Sequence, residues 1–467
     1  MAALARLGRS GRTDGLWFGG LVALAAALGG GVYAVTAYAI SPFALPAALV
    51  GVAAVVIAFA RPAWAVAGTL AAVPMEAIGL TIGGGGLSPS EGGLALVGAA
   101  WIWRVLAHPE TVVKPQFRDT PVIVLLAVIA IGITIAEEPG PVLRTLVLWT
   151  LFYLVYLQVQ SFTATEMRLV VVAFLLGAAV LGGIGAVAYL RSGNQTLFAG
   201  GELTGARAEG TFADPNYYAA LLVLALMPAL ALVLSNARRY SALAVACAVT
   251  FVGLALSLSR GGLIAFFGGA LLLLAWKRAR RVAAGVVVVF TILTLANANP
   301  LVGNEQVSVV EERLSTLSTP GLQASNRRPE IWAVAREITA EHPFFGVGVN
   351  QFRFEAGRRN LTEYGAPLEN AHSVIFSLAA ETGIVGLAAF VAFLIQLAAR
   401  ALRGLRADER MRYALALGCA AALLGFVLQG LTVAQIRVPL IAGSFFVLAG
   451  LLTALADRAR STREPST

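Results

Sequence analysis

Apolar runs of about 18 residues or more recur along nearly the whole chain, and that is the length a bilayer demands of a spanning helix. The runs lie at about residues 15–40, 43–60, 63–83, 90–107, 119–136, 141–161, 167–190, 214–235, 239–257, 260–276, 282–298, 372–399, 412–432 and 438–456. Fourteen spans result, or twelve if two of the Pro- and Gly-interrupted pieces before residue 110 are re-entrant. The residue balance agrees, since 58% of the 467 residues are hydrophobic and 13% charged. Soluble domains carry about a quarter charged residues, so this chain has too few to clothe a water-facing surface. The 49 glycines suit membrane helices, where small residues allow close packing. The expected fold class is all-α, a polytopic transmembrane helix bundle with one large, partly helical external loop.

Charge gives the orientation. Arg6, Arg9 and Arg12 precede an apolar run that starts near Leu16, as in a signal peptide. That run continues to about Ile40 and further spans follow, so an uncleaved first helix is expected. With the N-terminus inside and the chain alternating, the inward segments hold 22 of the 34 basic residues. Seven of the other twelve lie in one long loop, which is exempt from the positive-inside rule. Removing two early spans together leaves the parity unchanged. The net charge of +9 is thus a membrane signature and not a nucleic-acid one. Cys247 and Cys419 both fall inside apolar segments and are read as small packing residues, with no disulfide framework or metal site.

Residues 299–371 separate two spans on the outer side. A structureless loop of that length is improbable unless it is functional. One helix is expected from Asn326, with an early Pro329 and with Ile331, Ala335 and Ile338 at helical spacing. A second is expected around residues 309–317, and the glycine run at 83–86 is read as a flexible outer loop.

Polar residues at membrane depth cost about 2.5–3.5 kcal/mol on insertion scales and are functional candidates by default. Three outward places qualify. Arg207 to Asn216 leads into a span; an ordinary polar loop, with Asp214 and Pro215 starting the helix, is the alternative reading. Ser259-Arg260-Gly261-Gly262 places an arginine between two spans with almost no loop around it. A snorkelling side chain would explain it. So would an anion site, in which Ser259 caps the next helix, Arg260 adds a permanent charge, and the glycines let a bulky ligand approach. Glu369-Asn370-Ala371-His372-Ser373 carries, of three histidines, the one at an outer membrane boundary. His372 is a structural residue or the best general base available. No P-loop, nucleotide-binding glycine fingerprint, HExxH or Cys/His cluster is present, and no Asp-x-Asp pair is placed to hold a metal for a nucleotide sugar.

In this order, these places resemble the O-antigen ligase and O-antigen polymerase superfamily of membrane glycosyltransferases. The resemblance rests on four stretches: Arg207-x-x-Gly210 with Pro215-Asn216; Leu258-Ser259-Arg260-Gly261; Arg328-x-x-x-Trp332 with His342-Pro343-Phe344-Phe345-Gly346-Val347-Gly348; and Asn370-Ala371-His372-Ser373 with Glu381-Thr382-Gly383-Ile384-Val385-Gly386. It covers residues 200–395; the earlier spans match only in being hydrophobic. It implies an enzyme that takes a glycan from a polyprenyl (undecaprenyl) pyrophosphate on the outer face of a bacterial inner membrane and joins it to an acceptor sugar. Neither metal nor cofactor is needed, and inversion is expected. By position His372 is the implied base, and Arg207 and Arg260 grip the pyrophosphate. Arg328 and Arg327 are reserves for sugar or phosphate, Asn216 and Ser259 belong to the binding set, and Glu369 orients His372. Both termini are then cytoplasmic and the active site periplasmic. The division of the chain becomes a transmembrane bundle (1–200), a transmembrane region with phosphate-binding arginines (201–298), a periplasmic loop (299–371) and C-terminal transmembrane helices (372–467).

Ligase and polymerase differ in acceptor, a lipid A–core oligosaccharide or another repeat unit; the long loop and the Arg260/His372 pair lean towards the ligase. A transporter or flippase of lipid-linked substrates is the rival from another class. It would carry inverted repeats and charges at the midplane of several spans, whereas these charges cluster at outer membrane ends.

Overall fold

The computed structural model describes residues 44–76, 80–82, 85–110, 112–191, 195–197, 203–205, 207–212, 214–274, 276, 280, 288, 327–363 and 366–461. The expected spans at 15–40 and 282–298 and the expected helix at 309–317 lie outside the described residues. Helices α1 (Ala44–Ala60), α2 (Pro62–Ala71) and α3 (Pro89–Ala107) come first. Then follow α4 (Thr120–Ile135), α5 (Pro139–Gln160), α6 (Ala164–Arg191), α7 (Pro215–Ser235), α8 (Ser241–Leu256) and α9 (Arg260–Leu274). Two outer helices, α10 (Arg328–Glu341) and α11 (Phe352–Arg358), precede α12 (Val374–Gly404), α13 (Arg410–Gly430) and α14 (Pro439–Ser461). Among the described residues strand is confined to three antiparallel hairpins of two or three residues a side, β1–β2 (Leu80–Ile82, Gly85–Leu87), β3–β4 (Gln195–Leu197, Leu203–Gly205) and β5–β6 (Thr362–Glu363, Ala366–Pro367).

The all-α polytopic class holds. Among the described residues seven helices are long and apolar enough to cross a membrane: α5, α6, α7, α12, α13, α14, and α4 with the turn before it. Helices α8 and α9 are apolar but shorter, at 16 and 15 residues. The expected span at 63–83 departs from this pattern. Its helix stops at Ala71, where Pro74 enters a short 3-10 turn and lacks the N–H a continuing helix would need. The glycine run after it is no simple loop, since Gly85 and Gly86 pair with Ile82 and Thr81 in the first hairpin.

Helix α7 is the axis of the bundle, and its apolar window is wholly enclosed by protein. Helices α6, α8, α9 and α13 pack around it. Both cysteines are buried and unlinked. Polar side chains gather at two ends. At one end Arg118 pairs with Asp457 at 2.6 Å and donates to Gln160, and Arg458 reaches the Phe162 carbonyl. These belong to the segments that charge parity assigns inward. Arg144, Arg207, Arg260 and Arg437 lie at the opposite end, with α10 and α11.

That end is built on a broken helix. Within α12, Gly383 has φ 64° and ψ −171°, so the residues around it lose their helical partners. Lipid cannot satisfy exposed backbone groups; the outer loop does. Val347 and Gly348 N–H groups donate to the Ala380 and Glu381 carbonyls at 3.1 and 3.0 Å. In return, Ile384 and Val385 donate to the Pro343 and Phe344 carbonyls at 2.7 and 3.3 Å. A Cβ on Gly383 would sit 2.3 Å from the Phe344 carbonyl carbon, and one on Gly346 would sit 2.4 Å from that of Glu381. Both glycines also have positive φ.

The rest of the outer layer follows from that mating. Ile331, Ala335 and Ile338 of α10 are buried, as their spacing predicts, and join Phe352, Ala356, Leu361, Leu368, Ala371 and Ala380 in a second, smaller core. Gln351 and Glu138 exchange two hydrogen bonds of 3.0 Å, and Arg353 and Arg358 pair with Glu138 and Glu137. These bonds clamp the layer onto the α4–α5 turn.

Gly383→Ala combines a strained φ, about 1–3 kcal/mol, with a backbone collision. It should lower the thermal midpoint of the purified protein by several degrees and expose the outer loop to protease. Gly51→Ala, whose Cβ meets nothing within 4 Å, should leave both unchanged.

Candidate functional site

The site assembles where α7 begins and where α8 turns into α9. Asp214 caps α7, its Oδ1 accepting from the Asn216 N–H at 2.6 Å, and Pro215 occupies the first helical position, where a missing N–H costs nothing. This fixes Asn216 as a hub. Its side-chain Oδ1 accepts from the Arg207 guanidinium at 3.2 Å and the Ser259 hydroxyl at 2.9 Å. Its backbone carbonyl accepts from the Gln429 amide at 2.8 Å.

Arg207 and the next residue also cap a helix end. The Arg207 Nε donates to the Ser257 carbonyl and the Ala208 N–H to the Leu256 carbonyl, both at 2.9 Å, at the C-terminal end of α8 where carbonyls lack intrahelical donors. The turn then reverses in three residues, with Leu258 forced to φ 49° and Ser257 and Ser259 fully buried. Ser259 Oγ accepts from the Gly262 N–H at 3.2 Å and so caps α9, with Arg260 at its first position. Gly262 lets α9 close on α7, since a Cβ there would meet that of Ala219 at 2.6 Å. Its role is helix contact, not the ligand approach expected from its place beside Arg260.

Arg328, at the start of α10, is within electrostatic reach of Arg260. Burial, then the Arg260 charge, lowers its pKa, and Asp214 opposes the shift. Glu209 is pushed the other way: burial and Asp214 raise its carboxyl above the ordinary range against the pull of Arg207. Arg207, Arg260 and Arg328 thus gather with Asp214 and Glu209 in one partly buried cluster of charges. Arg327 differs, since its fork is engaged by Glu330 at 2.9 and 3.0 Å on an exposed surface.

His372 lies at the base of the outer layer, each of its neighbours tied to a different element. Its N–H donates to Asn370 Oδ1 at 2.8 Å, and Asn370 in turn hydrogen-bonds Tyr217 of α7. The Ala371 carbonyl accepts from Trp332 of α10 at 3.1 Å, and Trp332 stacks on Phe376. Ser373 donates to the Gly430 carbonyl at the end of α13 at 3.4 Å. The result is a φ of 47° at His372, a region that non-glycine residues adopt at a cost. Glu369 is exposed; its carbonyl accepts from Arg437 at 2.9 Å, and the residue that holds the His372 backbone is Asn370.

Arg437 was not among the residues that sequence reasoning selected. It also donates to the buried Glu381 carboxylate at 3.0 Å and to the Asn350 side chain. It thereby joins the broken helix, the outer layer and the 369–373 segment. Its signal was available in principle: like Arg260, it is a lone basic residue in a short outward connection. Glu381 gave none, because nothing in a span's pattern distinguishes a paired carboxylate from an unpaired one.

Residues 245–391 match the family model described as O-Antigen ligase. The matched stretch takes in Ser259, Arg260, Arg328 and His372, with both segments that mate at the helix break, and is similar to that family; the chain as a whole is a multi-pass membrane protein. No curated protein matches the chain. A solved structure described as "Structural coordination of polymerization and crosslinking by a peptidoglycan synthase complex" is similar at 18% identity and a TM-score of 0.38, over 73% of this chain and 97% of that one.

Breaking one side of a buried ion pair costs about 3–5 kcal/mol because the other charge is stranded. Arg437→Met and Glu381→Leu should each destabilise the protein by about that much. The double variant should cost clearly less than the two together, as denaturant titration of the four-member cycle would show.

Proposed function

We propose that the protein is a metal-independent glycosyltransferase of the periplasmic face of a bacterial inner membrane, with both termini in the cytoplasm. It moves a glycan from undecaprenyl pyrophosphate to an acceptor sugar, of the ligase type with a lipid A–core acceptor. The observation that carries this reading is the pair of guanidiniums, Arg260 and Arg328, held within electrostatic reach of each other at the end of the bundle where His372 is held at positive φ. Two like charges so placed call for an anion between them, and arginine's planar fork suits a phosphate.

The chemistry is balanced by groups the chain supplies. The His372 imidazole takes the proton of the acceptor hydroxyl, and that oxygen attacks the anomeric carbon from the face opposite the carrier. The carbon–oxygen bond to the pyrophosphate breaks, its electron pair stays on the phosphate oxygen, and the configuration inverts. Arg207 and Arg260, with Arg328, stabilise the developing charge. The leaving group arrives already activated, so fixed cations can serve where other transferases use a metal. Ser259 and Asn216 hold those cations in register, Arg327 meets sugar or phosphate at the rim, and Glu369 faces the acceptor side.

Full-length protein in nanodiscs, given an undecaprenyl-pyrophosphate glycan and lipid A–core in the presence of chelator, should transfer glycan. His372→Ala should slow transfer about 10²–10⁴-fold, and Arg260→Gln about 10²–10³-fold. Undiminished transfer in both variants, or a strict need for a divalent metal, would overturn the mechanism. Transfer to a second repeat unit in place of lipid A–core would make the enzyme a polymerase.

A further inference from the structure

At the same end of the bundle as the arginine cluster lies a cavity of about 640 Å³, between the first turns of α3 and α5, the outer layer and the turn before α14. Its wall carries Glu76, Glu91 and Glu369 and, interleaved with them, Arg144, Arg353 and Arg437. Glu91 is 2% exposed and fixed twice, closing the capping box of α3 with Ser88 and accepting from Arg144 at 2.7 Å. Ser90, equally buried, donates to Glu76 Oε1 at 2.8 Å, and the other oxygen of that carboxyl has no hydrogen-bond partner. A smaller space continues inward between Trp149, Phe152 and Ser377.

The charge pattern of this wall selects its ligand. Three carboxyl groups disfavour a polyphosphate, and three guanidiniums disfavour a cation. A neutral ligand dense in hydroxyl groups meets donors and acceptors on every side, and charged hydrogen-bonding partners make the stronger bonds. The volume lies within the range of about 300–1,000 Å³ that takes a drug-sized ligand, about the bulk of a short oligosaccharide. Tyr217, next to the Asn216 hub, links the two groups of side chains, being within electrostatic reach of Asp214 beside the arginines and of Glu369 and Arg437 on the cavity wall.

We propose that this cavity is a saccharide-binding site that receives the acceptor glycan, so that donor and acceptor approach the 369–373 segment from separate chambers. The assignment as acceptor rests on the transferase reading above; the saccharide site itself does not.

Gly140 at the start of α5 supplies a clean test. It lines the cavity, and a Cβ there meets nothing within 4 Å, so Gly140→Trp fills the space without breaking an ion pair. Binding to the full-length protein in nanodiscs is measured for three probes: lipid-free core oligosaccharide, free repeat-unit glycan and undecaprenyl pyrophosphate. Gly140→Trp should weaken one of the two saccharides at least tenfold and leave undecaprenyl pyrophosphate binding unchanged. Which saccharide weakens tells the source of the acceptor. In transfer assays the same variant should raise the KM for acceptor and not that for donor. Gly140→Phe, a smaller filler at the same open position that also leaves the ion pairs intact, provides the same test should the tryptophan variant fold poorly. No saccharide binding by the native protein, equal losses for all probes, or unchanged saccharide affinity in both variants would overturn the site. Binding is read without catalysis. A protein that transfers nothing yet loses saccharide affinity through Gly140→Trp refutes the transferase and keeps the site; an active transferase whose saccharide affinity ignores both variants does the reverse.

Discussion

A helix interrupted inside a bilayer leaves carbonyl and N–H groups that lipid cannot bond, and each costs several kcal/mol if abandoned. At Gly383 those groups are taken up by backbone from the loop at 343–348, four hydrogen bonds running both ways. That mating seats the outer layer and brings α10 against the first turns of α12. Trp332 then reaches the Ala371 carbonyl, and the chain turns sharply enough to hold His372 at positive φ. The position of the candidate base is thus a remote result of a backbone pairing.

The cations are held by a second device. Asn216 has one side-chain oxygen and shares it between Arg207 and Ser259, while its own carbonyl is bonded from α13. Three separate segments of the chain are thereby referenced to one residue at the head of the most enclosed helix. Preorganisation of this kind matters for charges meant to act on a leaving group, because reorienting them during reaction would consume the stabilisation they provide. The like-charge repulsion between Arg260 and Arg328 is offset in part by Asp214, which leaves the pair able to take an anion.

Much of this was legible in the sequence, for identifiable reasons. Apolar run length gave the helices, and the 3.6-residue spacing of Ile331, Ala335 and Ile338 gave the buried face of α10. Outside the long loop, five basic residues defy the inward bias: Arg144, Arg191, Arg207, Arg260 and Arg437. Arg207 and Arg260 both join the Asn216–Ser259 cluster, and Arg144 and Arg437 line one cavity, so four of these five residues meet at the same end of the bundle. Other features were hidden. The stretch Pro343 to Gly348 and the stretch Glu381 to Gly386 each read as a glycine-containing motif, and only folding shows that they bond each other. The extent of α2 was misjudged because hydropathy does not register what Pro74 does to a helix. The cavity had no local signal, since its walls come from six separated segments.

The reciprocal bonds at the break also define what can be exchanged between relatives. Backbone pairing makes almost no demand on side chains except at Gly346 and Gly383, so positions of the outer loop outside its buried core, its ion pairs and the arginine cluster are free to diversify as long as those two stay small. A graft of the loop alone would separate the two halves of the pairing. The portable unit of this architecture is therefore not the extramembrane loop but the loop together with the first half of α12, and recombination that respects that boundary can change the outer surface while leaving the bundle intact.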